Sequence, residues 1–138
     1  MKKFSILLSL AFVMSLASCS SVGNLNPLSL LTGNNWVLSS LMGQALDPAK
    51  FLNGLPSLNF LEGGGLTGFT GCNNFNGNFS LDGTNIKLDP GAMTKKACEG
   101  SEENDFLGAL SQVSNLKVAK NKLTLLDGAK ELLSFIPQ

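Results

Sequence analysis

Three cysteines are the side chains best suited to do chemistry here, and their settings differ. Cys19 closes the run Leu16-Ala17-Ser18-Cys19, behind Lys2, Lys3 and an apolar stretch from Phe4 to Leu16. A basic start, a short apolar run and small residues ahead of the cysteine are the layout of a secretory signal. The small side chains of Ala17 and Ser18 let an extended backbone enter a peptidase cleft, and Cys19 supplies the thiol that carries the lipid. An uncleaved membrane helix needs about 20 apolar residues, whereas this run is shorter and broken by Ser5, Ser9 and Ser15. Each buried acyl methylene contributes about 0.8 kcal/mol, so several chains such as palmitate hold a domain stably on a bilayer. Ser20 follows Cys19 where an acidic residue would mark inner-membrane retention. The expectation is a signal over residues 1–18 and a lipid anchor at Cys19, in the outer membrane of a bacterial envelope and facing the periplasm.

With Cys19 given to lipid, Cys72 and Cys98 form an even pair in a compartment where disulfides persist. A bridge between them would stabilise the fold by about 3 kcal/mol in the chain-entropy view. Two thiols packed side by side without a bond are the alternative. Zinc fits poorly, because two thiolates without histidine fill only half of a four-ligand site. The chain has no His, Tyr or Arg. Serine–histidine and cysteine–histidine catalysis therefore have no base, and the expectation is a protein that is not an enzyme and carries no cofactor or metal. Ten lysines match ten acidic residues, and two of the lysines leave with the signal. Such a balance does not suit a nucleic-acid partner.

The densest polar cluster runs from Gly68 to Phe79 as Gly-Phe-Thr-Gly-Cys-Asn-Asn-Phe-Asn-Gly-Asn-Phe. Glycine and asparagine enter left-handed backbone at least cost. Their density predicts a tightly wound loop or bulge with several positive-φ positions, pinned by Phe75 and Phe79 turned inward. Asn73, Asn74 and Asn76, with Thr94 and Lys95, would then form a polar rim able to hydrogen-bond a ligand. A redox role for Cys72 is disfavoured, since no nearby His or Arg would lower its pKa.

The elements that must hold these residues are mostly strands. Residues 19–33 lack periodicity and read as a flexible tether, with the domain over 34–138. Trp36 to Leu41, Ser57 to Leu61 and Leu66 to Thr70 read as strands, and Gln44 to Pro56 as a crossing at one end of the sheet. Asp82-Gly83 and Asp127-Gly128 sit between apolar alternations and predict hairpins. Lys117 to Lys120 leads into the second. After Ser101, a cap residue, the acids Glu102, Glu103 and Asp105 precede Phe106, Leu110 and Val113 at helical spacing. That pattern predicts an amphipathic helix of about fourteen residues. The fold class is α+β, a mostly antiparallel curled sheet or partly open barrel with one amphipathic helix packed on it.

Trp36-Val37-Leu38, Gly71-Cys72-Asn73-Asn74-Phe75-Asn76-Gly77-Asn78-Phe79, Met93-Thr94-Lys95-Lys96-Ala97-Cys98 and Glu103 with Phe106 together resemble a META domain of the HslJ heat-shock lipoprotein type. The closing Leu123 to Gly128 and Leu133 to Phe135 segments fit as well. The resemblance implies a small α+β domain, proximity of Cys72 and Cys98, and a role in stress response without catalytic residues. It is compatible with a binding or accessory module. Its partner would be an envelope protein or a small amphiphile, met through the rim, an apolar patch or an exposed strand edge.

Overall fold

The computed structural model describes residues 26–138. The signal over 1–18 and the lipidation site Cys19 lie outside them. Nine strands form one antiparallel sheet: β1 (Asn35–Leu41), β2 (Gln44–Ala45), β3 (Ser57–Leu61), β4 (Gly65–Phe69), β5 (Asn74–Asp82), β6 (Asn85–Met93), β7 (Asn115–Ala119), β8 (Lys122–Asp127) and β9 (Lys130–Pro137). Sequential neighbours pair from β3 to β9, and β1 joins β3 on one side and β9 on the other. The sheet thus curls until its ends meet. It is not a clean barrel, because β6 and β7 share a single register pair, Asn85 with Asn115. Two backbone bonds support that seam, Ile86 N–H to Ser114 at 3.0 Å and Leu116 N–H to Thr84 at 2.9 Å.

The strands form because alternate residues point into the curl. Phe75 and Phe79 of β5 and Ile86 of β6 are buried, with polar neighbours facing out. Phe79 meets Phe60 edge to face, with ring centroids 5.0 Å apart. That geometry suits the ring quadrupoles. Helix α2 (Glu103–Gln112) sends Phe106, Ala109 and Leu110 into the same core. Among the described residues, no helix is long and apolar enough to cross a membrane.

Two expectations need correction. Residues 27–32, expected to be tether, form the short helix α1 (Pro27–Thr32), so the folded part begins earlier than residue 34. Asn26 Oδ1 accepts from Leu28 N–H at 3.1 Å, and Pro27 occupies the first turn, where its missing donor costs nothing. Leu31 is completely buried, and its carbonyl accepts from the Trp36 indole Nε1–H at 3.0 Å. That bond satisfies the one polar atom of the largest buried side chain. Helix α2 spans 10 residues rather than about fourteen. Glu102 takes the cap position without a side-chain cap bond, while Ser101 Oγ accepts from Glu103 N–H at 3.2 Å. Val113 ends the helix in extended backbone, φ −62° and ψ 129°, as the chain enters β7.

α1 contacts β3 and β7, and α2 contacts β6 and β9. Each helix therefore bridges strands far apart in the curled sheet. α1 lies where β1 begins, and α2 lies with the turn that carries Cys72, where β4 ends and β5 begins. The two ends of the sheet are covered by different elements.

Candidate functional site

The site grows from the turn between β4 and β5. Thr70 is fully buried, and its Oγ1 accepts from Asn73 N–H at 2.8 Å and Cys72 N–H at 3.2 Å. The same hydroxyl donates to Glu103 Oε1 at 2.5 Å, on the first turn of α2. Gly71 adopts φ 93°, and a side chain there would press on the Phe51 ring at 2.6 Å. Cys72 and Cys98 are joined by a disulfide, with Cα atoms 5.8 Å apart.

Asn73 is the centre of this corner. Its Nδ2 donates to Glu103 Oε1 at 2.9 Å and to the Lys96 carbonyl at 3.2 Å. Its Oδ1 accepts from Lys96 N–H at 2.7 Å and from Thr94 Oγ1 at 3.0 Å. Only 3% of Asn73 is exposed, and its amide is saturated. It is a brace and cannot serve the ligand role expected of it.

The other four rim residues do face solvent. Asn74 and Asn76 lie on the outer side of β5, and Thr94 and Lys95 follow β6. Thr94 Oγ1 also accepts from Asn74 N–H at 3.0 Å, which ties the two segments together. An opening of 390 Å³ beside Phe75 and Met93 is lined by Asn74, Asn76 and Thr94. It adjoins a second of 700 Å³ that runs past Lys95, Lys96 and Ala97 to Leu107 of α2. The expected residues are thus brought together, except for Asn73, which lies beneath them.

The backbone is not the wound loop expected from so many Gly and Asn. Of positions 68–79, only Gly71 has a positive φ, and Asn74 onward is strand. Gly68 and Gly77 serve close approach instead. A Cβ on Gly77 would stand 1.9 Å from the Asp89 carbonyl oxygen, and one on Gly68 would stand 2.3 Å from the Phe75 ring.

A further groove, of 530 Å³, lies on the opposite side of α2 and was not foreseen from the sequence. Its walls are α2 and the segment Leu41 to Lys50, which holds the β1–β2 turn and a 3₁₀ turn over Pro48–Lys50. Met42, the turn's first residue, has φ 53°, the one positive φ of a non-glycine among the described residues. A methionine in that turn was the only local signal available. Lys50 Nζ pairs with Glu102 Oε1 at 2.6 Å across one end. The hydrogen bond from Glu102 and its charge hold the Lys50 pKa above the usual value, with smaller contributions from Asp47 and Asp105.

Among the described residues, no group of Cys, Asp and Glu is arranged to hold a metal ion. One carboxyl away from these grooves is perturbed. Glu131 lies below the usual carboxylate range because Ser134 Oγ donates to it at 2.7 Å, helped by Ser40 Oγ at 3.1 Å and opposed by burial.

No curated protein matches the chain. Solved structures share its fold. A protein determined by NMR superposes with TM-score 0.63 at 24% identity, covering 81% of this chain and 95% of its own. A protein from Burkholderia xenovorans, also determined by NMR, gives 0.61 at 24%, with 80% and 86% covered. A crystal structure of a DUF4847 family protein from Bacteroides vulgatus gives 0.60 at 18%, with 77% and 93% covered. The META domain family model matches residues 29–138, which takes in α1 from Ser29, all nine strands, α2 and the Cys72–Cys98 corner. The chain belongs to the META domain family.

Proposed function

We propose that this protein is a non-catalytic, HslJ-like lipoprotein of the bacterial envelope, anchored through Cys19 and acting in stress as a binding or accessory module. The observation that carries the reading is the division of labour at the β4–β5 corner. Asn73, Thr70, Glu103 and the disulfide are consumed in making a rigid frame. Asn74, Asn76, Thr94 and Lys95 are left exposed above it, beside Met93. Preorganised polar groups next to an apolar surface suit recognition, since little ordering is needed on binding. The absence of His and Arg from the sequence supports a non-catalytic role.

Strand addition by a partner is the weaker alternative. Among the described residues, the edge of β6 beyond Asn85 has no strand beside it, but Pro90 lacks a donor and Gly91 bends the strand at φ 62°. Charged Lys87 and Asp89 precede them on the same strand. These are devices that blunt an edge.

Photo-crosslinking in intact cells tests the reading. A crosslinker in place of Asn76 should capture an envelope component, while one in place of Lys120, in the β7–β8 turn, should not. Equal capture at both positions, or none at Asn76, overturns the binding role. Cys19→Ala should move the protein from the membrane to the soluble fraction, and retention of that variant overturns the anchor.

A further inference from the structure

The groove on the far side of α2 has a chemical character that the rim at Thr94 and Lys95 lacks. Its floor is apolar: Leu41 and Leu46 are half-buried against the core, and Ala109 is buried. Gly108 opens it further, because a Cβ there would meet nothing within 4 Å. Its rim is acidic. Glu102 pairs directly with Lys50, and among the described residues Asp47 and Asp105 form no salt bridge of their own, so three carboxylates share one lysine. No lysine other than Lys50 lines it.

Met42 forms the lip, and its conformation is informative. Leu41 pairs with Gln44, so Met42 and Gly43 are the two residues of a tight hairpin turn, at φ 53° and 76°. Such turns favour Asn-Gly, because a left-handed residue with a long side chain is strained. Here a methionine occupies the strained position and remains 44% exposed. Its N–H donates to the Leu132 carbonyl at 2.7 Å, which holds the turn in place. Retained strain together with an exposed, adaptable apolar side chain is a signature of a binding surface.

We propose that this groove docks a basic amphipathic peptide segment of another protein. An apolar side chain of that segment sits on Leu41, Leu46 and Ala109 under Met42, and its lysines or arginines face Asp47 and Asp105. Charge complementarity selects the occupant: three carboxylates against one lysine, beside an apolar floor, reject acidic segments and draw basic ones. The groove is separate from the Asn74–Lys95 rim, and the two lie on opposite sides of α2.

The test uses the full chain in phosphatidylcholine nanodiscs and a fluorescent, end-capped pentapeptide of alternating lysine and leucine, read by anisotropy against empty nanodiscs. Saturable binding is expected, with none for the glutamate–leucine counterpart. Asp47→Asn keeps the cap that Asp47 Oδ1 makes to Ala49 N–H but removes its charge. Asp105→Asn likewise removes a charge from the surface. Each should weaken binding about threefold and flatten its salt dependence. Met42→Asn suits the left-handed backbone of the turn and should weaken binding about tenfold through lost apolar contact, with an unchanged circular dichroism spectrum showing the fold is kept. Asn121→Ala, exposed in the β7–β8 turn and away from both grooves, should change nothing. Absence of saturable binding, equal binding of the acidic peptide, or indifference to Met42→Asn and to the paired Asp variants overturns the proposal.

Discussion

Asn73 Nδ2 donates to Glu103 Oε1 across 2.9 Å, and this bond joins the β4–β5 turn to the first turn of α2. The same carboxylate oxygen accepts from Thr70 Oγ1, so one glutamate holds two buried donors. Removing the amide leaves Lys96 N–H and the Lys96 carbonyl without their partner as well. Groups stranded in this partly buried corner cost up to about 1–3 kcal/mol each, and the members of a network fail together. Asn73→Ala should therefore lower the unfolding free energy by about 3 kcal/mol in urea titration. A loss below about 1 kcal/mol would show that the corner does not depend on its amide.

The disulfide acts on the same corner by different physics. It constrains the unfolded chain, whereas Asn73 acts on the folded one. The paired Cys72→Ser, Cys98→Ser variant should lose about 3 kcal/mol. Intact mass should rise by two hydrogens on reduction of the natural protein. An unchanged mass would show two free thiols.

The hairpins were readable from sequence because Asp82-Gly83 and Asp127-Gly128 demand left-handed backbone at the glycine, and both glycines adopt φ 61°. The position of α2 was readable from Phe106 and Leu110 on one face. Helix α1 was not, because six residues hold too few turns to show a period and only Leu31 is buried. The Gly-Asn cluster misled for a different reason. Glycine meets two needs, positive φ and close approach, and composition does not say which. The groove beside α2 was invisible because its walls come from residues 41–50 and 102–112, and only the curl of the sheet sets them side by side.

Glu131 predicts a pH dependence. Its folded pKa is depressed by the hydroxyls of Ser134 and Ser40. A carboxylate of this kind stabilises the fold above its unfolded pKa, and the contribution fades as pH falls through the folded value. Glu131→Gln should therefore be less stable than the natural protein at neutral pH and approach it in the acid range, below the ordinary glutamate pKa. Parallel urea titrations across that range measure the gap. A gap that stays constant or widens toward acid would contradict the assignment of those hydroxyls as donors to a charged Glu131.

Gly77 tests whether the one glycine of β5 serves contact rather than flexibility. Its φ is not positive, so alanine fits the local backbone. The obstacle is across the sheet: the Asp89 carbonyl oxygen would lie 1.9 Å from the new Cβ, with Gly91 N at 2.7 Å. Both are backbone atoms next to Pro90 and a bulge, so neither can swing away as a side-chain tip would. Overpacking of this kind costs about 1–3 kcal/mol or more. Gly77→Ala should fall at or beyond the upper end and weaken the β5–β6 pairing, seen as faster amide exchange along both strands. Gly108→Ala is the matched comparison, since its Cβ meets nothing and alanine favours the helix. It should stabilise by about 1 kcal/mol. If the two substitutions shift stability in the same direction, cross-strand contact is not what holds glycine at position 77.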